Sequence, residues 1–131
     1  ERLAYELQND GNEVVIYSFS LQYPSFLFPG KTQYTDSPAP PGLRIVTCIN
    51  AINPFNWWVV ARKIAQENPN VIITRYWLPF MGPCLGTILR LTKWSLTSAQ
   101  TLRRIALVDN ILPHEKRIGD RLFSRYFTAA I

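Results

Sequence analysis

Hydrophobic positions along the chain follow two patterns, short continuous runs and residues spaced three or four apart. The continuous runs are bounded by polar residues, glycine or proline. Such runs are typical of strands in a parallel sheet that is buried on both faces. They predict four strands, at residues 14–19, 43–49, 71–77 and 104–110.

The spaced pattern predicts helices, because a period near 3.6 places these side chains on one side of a helix. Gly11 suits a left-handed position that ends the first helix. Asn53 can cap the second helix, and Pro54 fits its first turn. In the last helix, Ile118, Leu122 and Tyr126 are spaced four apart along one side. The predicted helices occupy residues 1–9, 53–69, 79–94 and 116–131.

This alternation of helices and strands predicts an α/β fold, a Rossmann-like parallel sheet flanked by helices in one domain spanning residues 1–131. The first helix leads directly into a strand, and in such a fold a helix normally follows an earlier strand. We therefore expect the first, central strand to be lacking, with two strand edges exposed and self-association through them. Ligands of parallel sheets bind at the carboxyl ends of the strands.

Composition and charge narrow the function classes only slightly. Hydrophobic residues make up 47% and charged residues 18% of the 131 residues, which is typical of a globular chain. No apolar run approaches the roughly 20 residues of a membrane helix. The net charge of +5 suits an anionic partner, such as a phosphorylated substrate, an anionic membrane or nucleic acid. Cys48 and Cys84 are expected to be free thiols, and we expect neither a metal nor another cofactor.

The segment 18–34, "SFSLQYPSFLFPGKTQY", follows the first predicted strand and combines large apolar residues with two prolines and a glycine. Tyr23, Phe26 and Phe28 can offer flat apolar surface to an acceptor or a lipid, and Lys31 can meet a phosphate. The alternative is that these rings fold back and cover the core of the domain.

Other candidates lie where later strands end. Tyr76 and Trp77 close the third predicted strand, and core packing is the competing interpretation for both rings. Asp109, at the end of the fourth, can bind a sugar hydroxyl or act as a base, or hold the turn. His114 can donate a proton or bind a hydroxyl, or serve structure alone. No phosphate-binding loop, nucleophile elbow or zinc-protease motif is present in the sequence.

Several segments together resemble the amino-terminal domain of family 4-like, retaining glycosyltransferases of the GT-B class. They are "QYPSFLFPGKTQ", "INPFNWW", "YWLPFMGP" and "VDNILPHEKR". The resemblance implies a two-domain enzyme whose amino-terminal half holds the acceptor. The carboxyl-terminal half, which binds the nucleotide-sugar donor, and the first strand with its glycine-rich turn are expected to be missing from this sequence.

The resemblance also implies a set of site residues. Relatives have histidine where this chain has Asp109, so the role of that histidine does not transfer directly. His114 and Glu115 match the family's "PHE". We predict that the acceptor side of the cleft is lined by Tyr23, Lys31, Tyr76, Trp77, Asp109 and His114, with Asp109 and His114 as candidate catalytic residues.

The resulting hypothesis is the acceptor-binding half of an enzyme that moves a sugar from a nucleotide-sugar to a hydroxyl of a glycan or lipid-linked acceptor, with retention. We expect no catalysis by this chain alone, and a cytoplasmic location with or without peripheral attachment to the inner face of a membrane. The first alternative is a non-enzymatic, flavodoxin-like binding module. The second is a basic nucleic-acid-binding domain, for which the sequence shows no recognition motif.

Overall fold

The computed structural model of the chain describes residues 2–24, 40–97, 99–109 and 117–131. It divides into two units, Glu1–Ile52 and Asn53–Ile131, which are described separately. Within the described residues, the strands form two parallel sheets of two strands each. The fold is therefore α/β, with small parallel sheets flanked by helices, and it corresponds to a partial Rossmann-like fold. This confirms the predicted fold class.

The first unit contains helix α1 (Arg2–Asn9), strand β1 (Val15–Leu21) and strand β2 (Arg44–Asn50). Gly11 has a φ of +85°, so a residue with a side chain would be strained there, as predicted for the end of α1. The two strands pair in parallel, with irregular register between Ser18 and Leu21. Strand β1 thus continues to Leu21, two residues beyond its predicted end at Phe19.

Two side chains of α1 hold the chain that enters β2. The Tyr5 hydroxyl donates to the backbone oxygen of Pro41 at 2.8 Å. The Gln8 side-chain amide donates to the backbone oxygen of Gly42 at 3.1 Å. These two bonds anchor the segment before β2 against α1, at the positions where the backbone turns.

The second unit contains helix α2 (Pro54–Gln66), strand β3 (Val71–Tyr76), a 3₁₀ turn (Pro79–Met81), helix α3 (Gly82–Ser95), strand β4 (Arg103–Val108) and helix α4 (Asp120–Thr128). The Asn53 side chain accepts from the backbone N–H groups of Phe55 and Asn56, and Pro54 occupies the first turn of α2. This confirms both predictions for the start of this helix. Each predicted strand and helix corresponds to an observed one, and only their first and last residues differ.

The core of the second unit lies mainly between its helices. The Thr92 hydroxyl, which is buried, donates to the backbone oxygen of Ala61 at 3.4 Å and thus joins α3 to α2. Gly82, where α3 begins, packs so closely on α4 that a β-carbon would overlap the backbone carbonyl of Phe123. The buried apolar residues of these helices are Val60, Ala61, Ile64, Cys84, Leu85, Ile88, Leu89 and Phe127.

The apolar side predicted for the last helix is wrong. Ile118, Leu122 and Tyr126 are exposed, and Ile118 precedes the helix. The buried side chains of α4 are Ser124 and Phe127. Both contact Tyr76 of β3, and this contact decides which side of α4 faces inward.

Strands β3 and β4 pair without any register shift, from Val71 opposite Arg103 to Tyr76 opposite Val108. The sheet has one covered and one open face. Tyr76 lies on the covered face, whereas Val71, Ile73, Ile105 and Leu107 of the open face are 39–45% exposed. Among the described residues, no helix is both long and apolar enough to cross a bilayer.

Candidate functional site

A shallow cavity of about 530 Å³, largely open to solvent, lies at the carboxyl ends of β3 and β4, and the described residues that line it are Arg75, Trp77 and Asp109. Parallel strands in register end at the same edge, so residues that follow them come together. Arg75 is opposite Leu107, and Asp109 lies two residues further on the same face. The Asp109 N–H donates to the backbone oxygen of Tyr76 at 3.0 Å, which extends the strand pairing by one bond.

The guanidinium of Arg75 holds the Asp109 carboxylate through two hydrogen bonds. Nε donates to Oδ2 at 2.7 Å, and Nη2 donates to Oδ1 at 3.4 Å. Both side chains are exposed. Hydrogen bonding to Asp109, and then the attraction of its charge, raise the pKa of Arg75. Exposed ion pairs contribute little to stability. The pair therefore matters for its position: it places a carboxylate and a guanidinium side by side at the cavity.

These three side chains form a complementary set for a polyhydroxylated ring. The carboxylate accepts hydrogen bonds from hydroxyl groups, and the guanidinium donates to hydroxyl oxygens. The half-buried indole of Trp77 offers a flat apolar surface for the C–H face of such a ring. A few placed polar groups beside an apolar wall are the usual composition of a small-ligand site.

Tyr76, predicted to line the same site, lies instead in the core. Its ring is 1% exposed and stacks on Phe127, with ring centroids 4.2 Å apart and planes 5° from parallel. Its hydroxyl and that of Ser124 share a hydrogen bond of 3.0 Å. Burial raises the pKa of Tyr76. Because neighbouring residues on a strand face opposite sides, Arg75 points to the open face and Tyr76 to the helices. We therefore leave Tyr76 out of the candidate site.

Three predicted residues remain, and the structure describes only Tyr23 among them. Tyr23 follows β1 in the first unit, is half-buried, and its hydroxyl accepts a hydrogen bond from the Gln22 side chain at 3.2 Å. Lys31 and His114 lie outside the described residues, as do the rings of Phe26 and Phe28. The structure thus brings together two of the predicted residues, Trp77 and Asp109.

Arg75 is the site residue that the sequence interpretation missed. Its signal was present, since it is the one charged residue in the otherwise uncharged strand "VIITRY". A charge near the carboxyl end of an apolar strand, with a carboxylate directly after the next strand, predicts a pair when both strands are parallel and in register.

The described residues contain no cluster of three or more histidine, cysteine or acidic side chains that could hold a metal ion. Cys48 and Cys84, both among the described residues, are not joined in a disulfide. Burial raises the pKa of the Cys84 thiol to about 12. A thiol with this pKa is protonated at neutral pH, so Cys84 is a core residue and not a nucleophile.

Comparison with known proteins gave no match to the chain, whether with protein-family models, curated proteins or solved structures. The resemblance to glycosyltransferases therefore depends on the sequence segments quoted above, and the site depends on its own geometry.

Proposed function

We propose that the chain is the acceptor-binding half of a retaining GT-B glycosyltransferase, and that its cavity at Arg75, Trp77 and Asp109 binds a sugar ring of the acceptor. The observation that carries this proposal is the carboxylate–guanidinium pair beside an indole, at the strand ends where parallel sheets bind ligands. This set matches a glycan better than a flat or purely anionic ligand.

Each residue has a distinct part in binding. Asp109 accepts hydrogen bonds from one or two ring hydroxyls, and Arg75 donates to a neighbouring hydroxyl oxygen while keeping the carboxylate in place. Trp77 packs against the ring. Lys31 and His114 retain their predicted parts at the acceptor, where Lys31 would meet a phosphate. Tyr23, which belongs to the first unit, remains a candidate residue for acceptor binding.

Sugar transfer itself requires groups beyond this set. The proposal assigns donor binding and stabilisation of the leaving diphosphate to the expected carboxyl-terminal domain and to the expected glycine-rich turn. The described part of the chain contributes acceptor recognition only. We also propose the predicted cytoplasmic location and, going further, peripheral attachment to the inner face of a membrane, where a lipid-linked acceptor would be met.

Glycan binding by the purified chain tests the proposal. Saturation-transfer NMR with glucose, mannose, N-acetylglucosamine and their disaccharides would identify bound rings, and titration of the best one would give its Kd. Asp109→Asn keeps the shape of the side chain but removes its charge and one acceptor oxygen. We expect it to weaken binding about tenfold, the usual effect of losing a charged hydrogen bond.

Arg103→Gln is the matched control, because Arg103 is exposed on the same strand pair at the opposite, amino end of β4. It should leave the Kd unchanged. The proposal fails if no sugar binds, or if Asp109→Asn and Arg103→Gln weaken binding equally. Tight, salt-dependent binding of single-stranded RNA instead would favour the nucleic-acid alternative.

A further inference from the structure

Helix α2 carries an exposed aromatic and basic stripe on the side opposite its core contacts. Phe55, Trp58 and Arg62 recur at three- and four-residue spacing and share one side of the helix. Phe55 is 71% and Trp58 44% exposed, whereas Val60 and Ala61 on the inner side are buried. An exposed tryptophan beside an exposed phenylalanine leaves apolar area in contact with water. Such an apolar patch is typical of a surface that binds a partner.

The three side chains of the stripe are already arranged against one another. The rings of Phe55 and Trp58 lie 5.7 Å apart at a tilt of 40°. The Arg62 guanidinium lies over the Trp58 ring, 5.1 Å from its centroid. The indole thus has a neighbour from the turn before it and another from the turn after it, which limits its rotamers. A pre-ordered ring loses less conformational entropy when it binds.

The charged residues within the two helices next to the stripe are basic, and one acidic residue, Glu67, directly follows α2. Helices α2 and α3, which pack against each other, carry Arg62, Lys63, Arg90 and Lys93 and no acidic residue. Arg90 is engaged with the backbone oxygens of Gly86 and Tyr126. Arg62 lies over Trp58, and Lys63 is the next residue in the last turn of α2. Such a stripe complements an anionic surface.

An anionic lipid surface fits this stripe better than nucleic acid or a protein. Base stacking requires an open ring face, and the Trp58 ring has Arg62 over it and Phe55 tilted against it. A protein partner needs a pocket that matches a protruding ring, whereas a bilayer interface accepts the ring without one. Tryptophan and phenylalanine at the headgroup level, with basic side chains reaching the lipid phosphates, are the usual chemistry of interfacial helices.

We propose that the stripe formed by Phe55, Trp58 and Arg62, with Lys63 beside it, is the surface through which this chain binds anionic membranes. Phe55 and Trp58 enter the interface, and Arg62 and Lys63 meet lipid phosphates. This inference deepens the membrane location within the proposed function, but it does not depend on sugar binding. Glycan titration is done without vesicles, so the two proposals can fail separately.

The test is flotation of the chain with phosphatidylcholine vesicles that contain or lack phosphatidylglycerol. We expect binding only to the anionic vesicles, with binding lost as salt is raised. The double variant Phe55→Ser/Trp58→Ser should reduce the vesicle-bound ratio about tenfold or more, because membrane binding scales with the apolar area that is inserted. Arg62→Gln/Lys63→Gln should reduce it similarly in low salt.

Trp94→Ser is the matched control, because Trp94 of α3 is 76% exposed but lies outside the stripe. It should bind vesicles like the unchanged chain. Circular dichroism will show whether each variant is folded. If the double variant does not fold, Trp58→Phe replaces it: this variant should still float, but with less quenching of its fluorescence by brominated lipid.

Other outcomes would overturn the inference. They include equal binding to neutral and anionic vesicles, and equal loss of binding in Trp94→Ser and in the double variant. The inference would also be overturned if Trp58→Phe left the quenching of tryptophan fluorescence by brominated lipid unchanged. A dimer in sedimentation equilibrium that the double variant abolishes, without vesicle binding, would assign the stripe to a second copy of the chain. Single-stranded RNA that binds through the stripe, with vesicles unbound, would assign it to nucleic acid.

Discussion

Tyr76→Phe is the change that most directly separates a core role of Tyr76 from a role in the site. It removes one hydroxyl and leaves the ring, so the stacking on Phe127 remains. The Ser124 hydroxyl is 6% exposed, and it would lose its partner at 3.0 Å. A buried polar group deprived of its hydrogen bond costs about 1–2 kcal/mol. For a chain of this size we expect the Tm to fall by about 3–8 °C.

Ser124→Ala completes a double-mutant cycle with Tyr76→Phe. Ser124→Ala alone leaves the tyrosine hydroxyl buried without its partner, so it should destabilise the fold by a similar amount. The double variant removes both ends of the bond. Its loss should be smaller than the sum of the two single losses by about 1 kcal/mol, as expected for groups in direct contact.

Thermal unfolding by circular dichroism gives the stability of each variant, and saturation-transfer NMR gives its glycan binding. We expect Tyr76→Phe to lower the Tm and to leave the Kd for the glycan unchanged. An unchanged Tm together with weaker glycan binding would refute the placement of Tyr76 in the core. Strict additivity in the cycle would refute the hydrogen bond to Ser124.

Three further predictions concern the helices and the core. Gly82→Ala should destabilise the fold by about 1–3 kcal/mol, because the new β-carbon overlaps the rigid backbone carbonyl of Phe123. Gly86→Ala is its control in urea unfolding, since its β-carbon meets only movable side-chain atoms at 3.0 Å and the change favours helix; an equal loss in both would contradict the close approach at Gly82. Asn53→Ala should cost about 1 kcal/mol by removing the cap of α2, and Asn53→Ser should restore most of it, both by thermal unfolding. Burial raises the pKa of Cys84 from 9.0 to about 12, so the unfolded chain releases this proton first and the free energy of unfolding should fall as pH rises from 9.0 towards 12. Urea unfolding across that range should show a shallower decline in Cys84→Ala, and an equal decline would place the cause elsewhere.

The features of this fold that follow from local chemistry could be predicted from the sequence. The cap formed by Asn53, the proline in the first turn of α2 and the left-handed Gly11 depend on a few adjacent residues, and each was predicted correctly. The four strands were also found, because an apolar run between polar breaks has few other structures available in a chain of this kind. Strand ends were less certain, since β1 continues to Leu21 and so includes residues that resemble a loop.

The sequence does not determine which of two sides of a helix or strand is buried. The last helix has two apolar sides, and only the contacts of Phe127 and Ser124 with Tyr76 select the inner one. The same contacts place Tyr76 in the core, whereas Trp77 lines the cavity. Arg75 contacts Asp109 because β3 and β4 pair without a register shift. The register of two strands that are distant in the sequence cannot be predicted from either strand alone.

The uneven distribution of buried side chains has a consequence for how the molecule opens. Of the fourteen buried apolar residues among those the structure describes, only Ala4, Ile49 and Ala51 belong to the first unit, and eleven belong to the second. Local opening is easiest where few apolar contacts are lost. Amide hydrogen exchange should therefore be slower in α2 and α3, which carry most of these residues, than in α1, which carries only Ala4. Helices α2 and α3 are then the part of the chain that should unfold last.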